Sequence, residues 1–243
     1  MYLYETHCHT APVSKCGKAS AEETVIFYKE MGYDGIFITN HFLDGNINSE
    51  ARALQYPEQI YYYFSDYEKA AEHGKEVGLK VFPGVELSYK GTDFLIYGLE
   101  KDWYIGHPEI LEKKKSAELP YLMEAGALVI QAHPYREANY IDHIRLFPRN
   151  VHGAEIYNSG QTWESNELAV LYAEHYNLLT TCGSDNHWAG DVFIKLREKG
   201  FRPEIAGMCS DNEICSVYDF IHEIKTGTMK MFLMDEKGDV EVL

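Results

Sequence analysis

Two histidines separated by a single residue, His7 and His9, sit in Glu5-Thr6-His7-Cys8-His9-Thr10 directly after the apolar run Met1-Tyr2-Leu3-Tyr4. That run predicts a strand, and in a strand residues i and i+2 share a face. His7 and His9 then point the same way, with Glu5 one step behind and Cys8 turned to the other side. Two imidazoles converging at a strand end supply half of a metal site. The other half must come from later strands. Their C-terminal ends offer His41, Glu86, His133, Asp185 and His187. Neutral imidazole and carboxylate are ligands for zinc, iron and manganese, and seven such groups exceed what one tetrahedral ion needs. A shared carboxylate can bridge two ions, so two or three divalent transition-metal ions are expected.

The elements that must position these groups are legible from hydrophobic patterning. A loop over residues 11–18 contains Pro12, Lys15, Cys16, Gly17 and Lys18, and Ser20 caps a helix that stops at Gly32. Residues 34–41 form an almost wholly apolar run ending in Asn40-His41, the mark of a strand buried on both faces. A helix over 61–77 ends at Gly78. Strands follow over 79–87, with Glu86, and over 92–99, with Asp93. A helix over 108–125 leads to a strand over 128–134, with His133. Strands over 151–157 and 178–187 flank a helix over 163–176. A helix over 213–225 and strands over 228–234 and 240–243 complete the chain. Strand and helix alternate with few hairpin signals, which predicts a parallel α/β fold. Seven strand ends that must meet favour a closed barrel over an open sheet. The reading is one domain over 1–243, with about 210–243 as a small appended helix and strands.

With 22 Lys and Arg against 38 Asp and Glu, the net charge is −16. Such a surface repels long nucleic acid, although a short nucleotide can still reach a cationic metal cluster. The chain shows no leader-like segment and no long apolar run, so a cytoplasmic protein without a membrane partner is expected. Five scattered cysteines with no C-x-x-C pattern suit free thiols in a reducing compartment. Arg136, three residues after His133, can offer a bidentate fork to a phosphate. Lys18, and Glu155 and Asn158 at the end of the sixth strand, are further candidates for substrate contact. His41 and His187 are candidate general acids where they are free of metal.

In its motifs the chain resembles the Polymerase and Histidinol Phosphatase (PHP) family of metal-dependent phosphoesterases. The matching stretches are Glu5-Thr6-His7-Cys8-His9-Thr10, Ile38-Thr39-Asn40-His41, Pro83-Gly84-Val85-Glu86, Ala132-His133-Pro134 and Gly183-Ser184-Asp185-Asn186-His187, in family order across nearly the whole chain. The resemblance implies a distorted (β/α)7 TIM-like barrel with a metal site at the C-terminal ends of its strands. It assigns His7, His9, Glu86 and Asp185 to one metal, Glu86 and His133 to a second, and His41 and His187 to a third. The activity it implies is hydrolysis of a phosphate ester by a metal-bridging hydroxide. A small phosphomonoester is the expected substrate and the expected partner. The alternatives are a phosphodiesterase or exonuclease acting on nucleotides or short oligonucleotides, metal-dependent hydrolysis of a carbonyl bond, and a non-catalytic metal-binding domain. Three positions depart from the family pattern. Asn40 stands where an Asp is usual, and Leu95 lies near the place of a fourth-strand His, for which Asp93 or, more remotely, His107 can substitute. The loop after the first motif offers Lys15, Cys16 and Lys18 in place of a His or Asp. Either Cys16 ligates there, or the third ion is weak or absent, or a lysine ammonium takes its place.

Overall fold

The computed structural model describes residues 1–190, 193, 205–235 and 238–243. Strands β1 (Tyr2–Cys8), β2 (Gly35–Ile38), β3 (Lys80–Tyr89), β4 (Thr92–Tyr97), β5 (Leu128–Ala132), β6 (Gly153–Asn158), β7 (Leu179–Gly183), β8 (Ile205–Ser210), β9 (Lys230–Met234) and β10 (Val240–Val242) form one sheet. Its order is β10-β9-β8-β1-β2-β3-β4-β5-β6-β7. The sheet curls until β7 lies back against β1 and β8. Among the described residues the join between β7 and β1 is an isolated bridge, Cys8 to Asn186, where the His9 N–H donates to the Asn186 carbonyl at 2.9 Å.

The sheet is mixed, which corrects the all-parallel expectation. β4 runs antiparallel to both β3 and β5, and β8 runs antiparallel to β1. The physical reason is a two-residue turn at Lys90-Gly91, where both residues have positive φ (53° and 81°). That backbone matches the twist of a hairpin. Lys at the first position hides the signal, because the usual marker there is Asn, Asp or Gly. The predicted helix over 108–125 is also broken. Lys101–Gly106 forms a short helix (α4), Pro108–Glu112 a 3-10 turn, and Lys115–Glu124 a helix (α5).

The remaining helices follow their caps. In α1 (Ala21–Glu30) Ser20 and Glu23 make a reciprocal capping box. The short α2 (Ser49–Ala53) precedes α3 (Glu58–Val77), which ends with Gly78 in the left-handed conformation, as expected of a C-cap glycine. α6 spans Trp163–Tyr176 and α7 Val217–Thr226. Helices α1, α3, α5 and α6 cover the outer face of the sheet, packing on Val25, Phe64, Leu119 and Ala169 among others. Among the described residues, α7 is the helix that packs against the inner face. Phe220 of α7 lies 4.4 Å from the Phe37 ring and 5.1 Å from Tyr97, and Tyr4, Leu95, Leu128, Ile130 and Met208 join the same cluster. This apolar plug fills one end of the curl. The C-terminal ends of β1, β2, β3, β5, β6 and β7, with the N-terminal end of the antiparallel β4, surround the other end.

Candidate metal centre

Seven of the predicted ligands meet at that open end. Glu86 is their centre. It is fully buried, and its carboxylate lies 2.6 Å from His41 Nδ1, 3.2 Å from His7 Nε2, 3.4 Å from His9 Nε2 and 3.4 Å from His133 Nε2. Asp185 approaches from β7, 3.1 Å from His9 Nε2 and 3.5 Å from His7 Nε2. Strand pairing explains part of this. An isolated bridge sets His41 beside Glu86, and another sets Cys8 beside Asn186. The chain's first and last motifs thus touch.

Strand periodicity alone does not aim the side chains. Tyr4 faces the inside of the curl and Leu3 the outside. Simple alternation would then send His7 and His9 outward. A bulge between Glu5 and Cys8 reverses the parity, so Cys8 packs outward and the two histidines turn in. Ala132 and Cys182 face inward, and alternation would send His133 and Asp185 outward. Both instead adopt positive φ, 27° and 51°, a conformation costly for residues with a Cβ and found at sites the surrounding structure over-determines.

An outer layer orients the rings. Glu155 accepts from His7 Nδ1 at 2.9 Å, from the His133 N–H at 3.1 Å and from Asn158 Nδ2 at 2.8 Å. His7 therefore presents Nε2 to the cluster. Glu5 accepts from the N–H groups of His7 and Ser184 and from the Tyr28 hydroxyl, tying β1 to the loop after β7. The Ser14 hydroxyl joins three neighbours: it pairs with His9 Nδ1, donates to Asn40 Oδ1 and accepts the His41 N–H. Asn40 also donates from Nδ2 to Thr10 Oγ1 and accepts the Thr10 N–H. Its amide thus ties the loop after β1 to the end of β2.

The electrostatics are those of an anionic pair caged by bases. Burial alone would raise the pKa of Glu86 and Asp185, but the surrounding histidines outweigh it and hold both well below the carboxylate range. Burial likewise opposes charge on His7, His41 and His133, and the carboxylates overcome it, raising all three. His9 goes the other way, down to about 3, because burial and the neighbouring His187 and His41 all disfavour its charge. At Cys16 burial opposes ionisation, yet hydrogen bonds with His187 and His41 prevail and bring the thiol down to about 6.

The cage fits metal ions. His41 Nδ1, His133 Nε2 and both Glu86 oxygens are buried without a hydrogen bond, although ring nitrogens stand within 3.4 Å of the carboxylate. The atoms face one another at distances set by a common centre rather than by donor and acceptor directions. Three sets of ligand atoms each lie within 4.8 Å of one another: His7, His9 and Asp185; His7, Glu86 and His133; and His9, Cys16, His41 and His187.

Other predicted residues fall at varied distances from this centre. Asp93 is buried, 3.8 Å from His133 Nε2 and 3.5 Å from Arg136 Nη1. Leu95 packs into the inner core. His107 stacks on Trp103 at 4.3 Å and pairs with its carbonyl, so it is not a ligand here. Asn158 is fully buried, and its side chain is committed to Glu155 and to the Gly160 N–H. It positions Glu155 and does not face the cleft, which corrects its reading as a substrate contact. Lys18 is exposed, and its backbone N–H donates to the His187 carbonyl. Arg136, with its side chain 30% exposed, stands at the cleft mouth. A cleft of about 510 Å³ is walled by Cys16, His41, Asp93, Arg136, Asp185 and His187, with Arg52 and Lys90 at its rim. A second arm of about 310 Å³ shares Arg136, Tyr140, Asp185 and His187 and extends to Gln161 and Trp188. Sequence reasoning missed Arg52 in the short α2, Lys90 in the turn between β3 and β4, and Ser14 and Trp188 in loops, since none belongs to a pattern that marks a site. Glu155, read from the sequence as a candidate substrate contact, is instead fully buried and holds His7 and the His133 N–H.

No family model matches the chain, and no curated protein matches it either. Its fold, however, recurs in solved structures. A two-domain protein containing a predicted PHP-like metal-dependent phosphoesterase, from Bacteroides vulgatus, aligns with 96% of this chain at TM-score 0.67 and 15% identity. This chain spans 66% of that protein's length. A putative metal-dependent phosphoesterase from Bifidobacterium adolescentis aligns with 77% of this chain and 88% of its own, at TM-score 0.53 and 14% identity. An amidohydrolase from Chromobacterium violaceum with bound sulfate covers 76% of this chain and 87% of its own, at TM-score 0.52 and 14% identity. The chain thus has the mixed α/β fold of PHP-like phosphoesterases.

Proposed function

We propose that this chain is a metal-dependent hydrolase of phosphate esters, with a small phosphomonoester as substrate, built on the distorted (β/α)7 plan. The observation that carries the reading is Glu86, a buried carboxylate with no hydrogen bond on either oxygen and imidazole nitrogens of His7, His9, His41 and His133 around it. His7, His9, Glu86 and Asp185 would hold one divalent ion and Glu86 with His133 a second, with Asp93 close by. Zinc, manganese and iron all suit this donor set. Such ions, when bound, supply Lewis acidity that ionises water near neutral pH and neutralises phosphoryl charge.

The chain's own residues do the rest. Glu155 fixes the His7 tautomer, and Asp93 holds Arg136 at the mouth, where its guanidinium can grip a phosphoryl oxygen. Arg52 and Lys90 add positive charge to the rim of an otherwise acidic molecule. That places cationic groups where a compact anion enters, while the net charge of −16 on the whole chain disfavours a long polyanion. His41 and His187 stand on the cleft wall, within reach of a leaving group. Each can donate a proton only where it is free of metal. The amidohydrolase neighbour binds sulfate, an ion with the shape and charge of a phosphate. No described helix is long and apolar enough to cross a membrane.

The test is phosphate release from a panel of monoesters, beside a bis-ester model compound, by protein loaded with each metal. Turnover of monoesters that is lost in His7→Ala supports the reading. Cleavage of the bis-ester alone would move it to a phosphodiesterase. No turnover of any phosphate ester by protein carrying two or more ions per chain would refute it.

A further inference from the structure

We infer that the Cys16 thiolate is a protein ligand of a third ion position, shared with His41 and His187, and that this position selects zinc over manganese. The inference rests on the metal-dependent reading above and concerns a residue that reading does not require.

Four ligand atoms, from His9, Cys16, His41 and His187, lie within 4.8 Å of one another. A tetrahedral site with zinc–sulfur bonds near 2.3 Å and zinc–nitrogen bonds near 2.0 Å has edges of about 3.5 Å. Small torsional adjustments close the set to that size. The rings of His41 and His187 each stack on His9 with centroids 4.5 Å apart. His187 is oriented by its Nδ1, 2.6 Å from the Asp185 carbonyl, which leaves Nε2 to face the group. His41 is buried, and its Nδ1 lies 2.6 Å from Glu86, which leaves its Nε2 for this position.

His9 cannot serve two ions with one lone pair. Its Nε2 is 3.1 Å from Asp185 Oδ1 and 3.3 Å from His7 Nε2, so it belongs to the first position. Cys16, His41 and His187 then remain, and all three wall the cleft. Three protein ligands with a fourth position open to the cleft is the pattern of a reactive zinc site, not a closed structural one.

The loop holds Cys16 in place. The Ser14 N–H donates to the Thr10 carbonyl, the Gly17 N–H to the Ser14 carbonyl, and the Lys18 N–H to the His187 carbonyl. A Cβ at Gly17 would meet the Thr10 backbone at 2.6 Å, so only glycine permits this close turn. The other four thiols are elsewhere. Cys8 packs outward and donates to the Phe37 carbonyl, Cys182 and Cys209 are buried in the core, and Cys215 is exposed beside Lys80. The first two positions have only nitrogen and oxygen donors, which manganese accepts. A thiolate favours zinc.

X-ray absorption and metal counting on the full chain test this, with Cys215→Ser as the background that removes the exposed thiol. Zinc-loaded protein is expected to show a sulfur shell at about 2.3 Å, and cobalt-loaded protein a thiolate charge-transfer band in the near ultraviolet. Cys16→Ser should lose both signals while keeping the melting temperature of the metal-free protein. Zinc affinity at one position should fall by more than the roughly 10–100-fold that losing an outer partner costs, and manganese should fill one fewer position than zinc in the parent. A zinc-loaded parent with no sulfur shell, or a shell that survives Cys16→Ser, would overturn the inference. If two ions and phosphatase turnover remain in that case, the proposed function stands without it. If no ion binds at all, both fall.

Discussion

Glu155→Gln isolates the part of the site that lies behind the proposed metal ligands. Glu155 is fully buried and accepts three hydrogen bonds. One oxygen takes the His7 Nδ1 proton, and the other takes the His133 N–H and Asn158 Nδ2. Glutamine keeps the shape but turns one oxygen into a donor. If its amide nitrogen faces His133 and Asn158, two buried donors lose their acceptor, at about 1–3 kcal/mol each. If it faces His7, only one contact conflicts, and His7 can relieve it by moving its proton from Nδ1 to Nε2. The second arrangement is cheaper by at least one lost hydrogen bond, so it prevails. It places a proton on the nitrogen that faces Glu86 and Asp185. The lone pair needed by a metal is then gone. The expected loss of metal affinity is about 10–100-fold, or about 1.4–2.8 kcal/mol, with little change in the melting temperature of the chelator-treated protein. Chelator competition and paired melts with and without zinc read both quantities. Unchanged zinc affinity in a folded Glu155→Gln variant would refute the claim that Glu155 sets the His7 tautomer. A large fall in metal-free stability with no specific metal defect would assign Glu155 a packing role instead.

Three further outcomes follow from the same geometry. Arg136→Ala should raise KM for a monoester about 10–100-fold at unchanged metal content, because a partly exposed guanidinium at the cleft mouth is placed to meet the proposed substrate and not an ion. Gly183→Ala should lower both melting temperature and metal occupancy, at about 1–3 kcal/mol of overpacking, since a Cβ there would meet His7 Cβ at 2.7 Å and Glu155 Oε1 at 2.9 Å. The pH dependence has a defined sign. His7, His41, His133 and His187 have folded-state values above the ordinary one, so their stabilising effect is full below about 6.5 and is lost as pH rises through the raised values. Glu86 and Asp185 are depressed, so their contribution is present above about 4 and is lost as pH falls through the lowered values. The Cys16 thiol, brought down to about 6, gains stability as pH rises and offsets part of this. Four raised imidazoles outnumber it, so metal-free protein should melt at lower temperature as pH rises above about 6.5. Saturating zinc should reverse that trend, because metal binds the deprotonated rings. A metal-free melting temperature flat across that range would contradict it.

The ligand types and their places at strand ends were legible in the amino-acid sequence, because an apolar run followed by a polar residue marks where a buried strand emerges. The caps at Ser20 and Gly78 were equally local and equally legible. The direction of β4 was not, since Lys90-Gly91 adopts two positive φ values that nothing in its composition announces. The aim of the side chains was hidden more deeply. Period two places His7 and His9 on one face, but only the bulge between Glu5 and Cys8 makes that the inner face. His133 and Asp185 depart from strand parity through their own positive φ. The grouping of Cys16 with His41 and His187 also belongs to the tertiary structure, because it depends on a loop closing across the curl onto the last motif. Sequence alone determined which groups this protein brings to its chemistry. Backbone irregularities that local propensity does not favour, and that only the assembled sheet can impose, decided where those groups point.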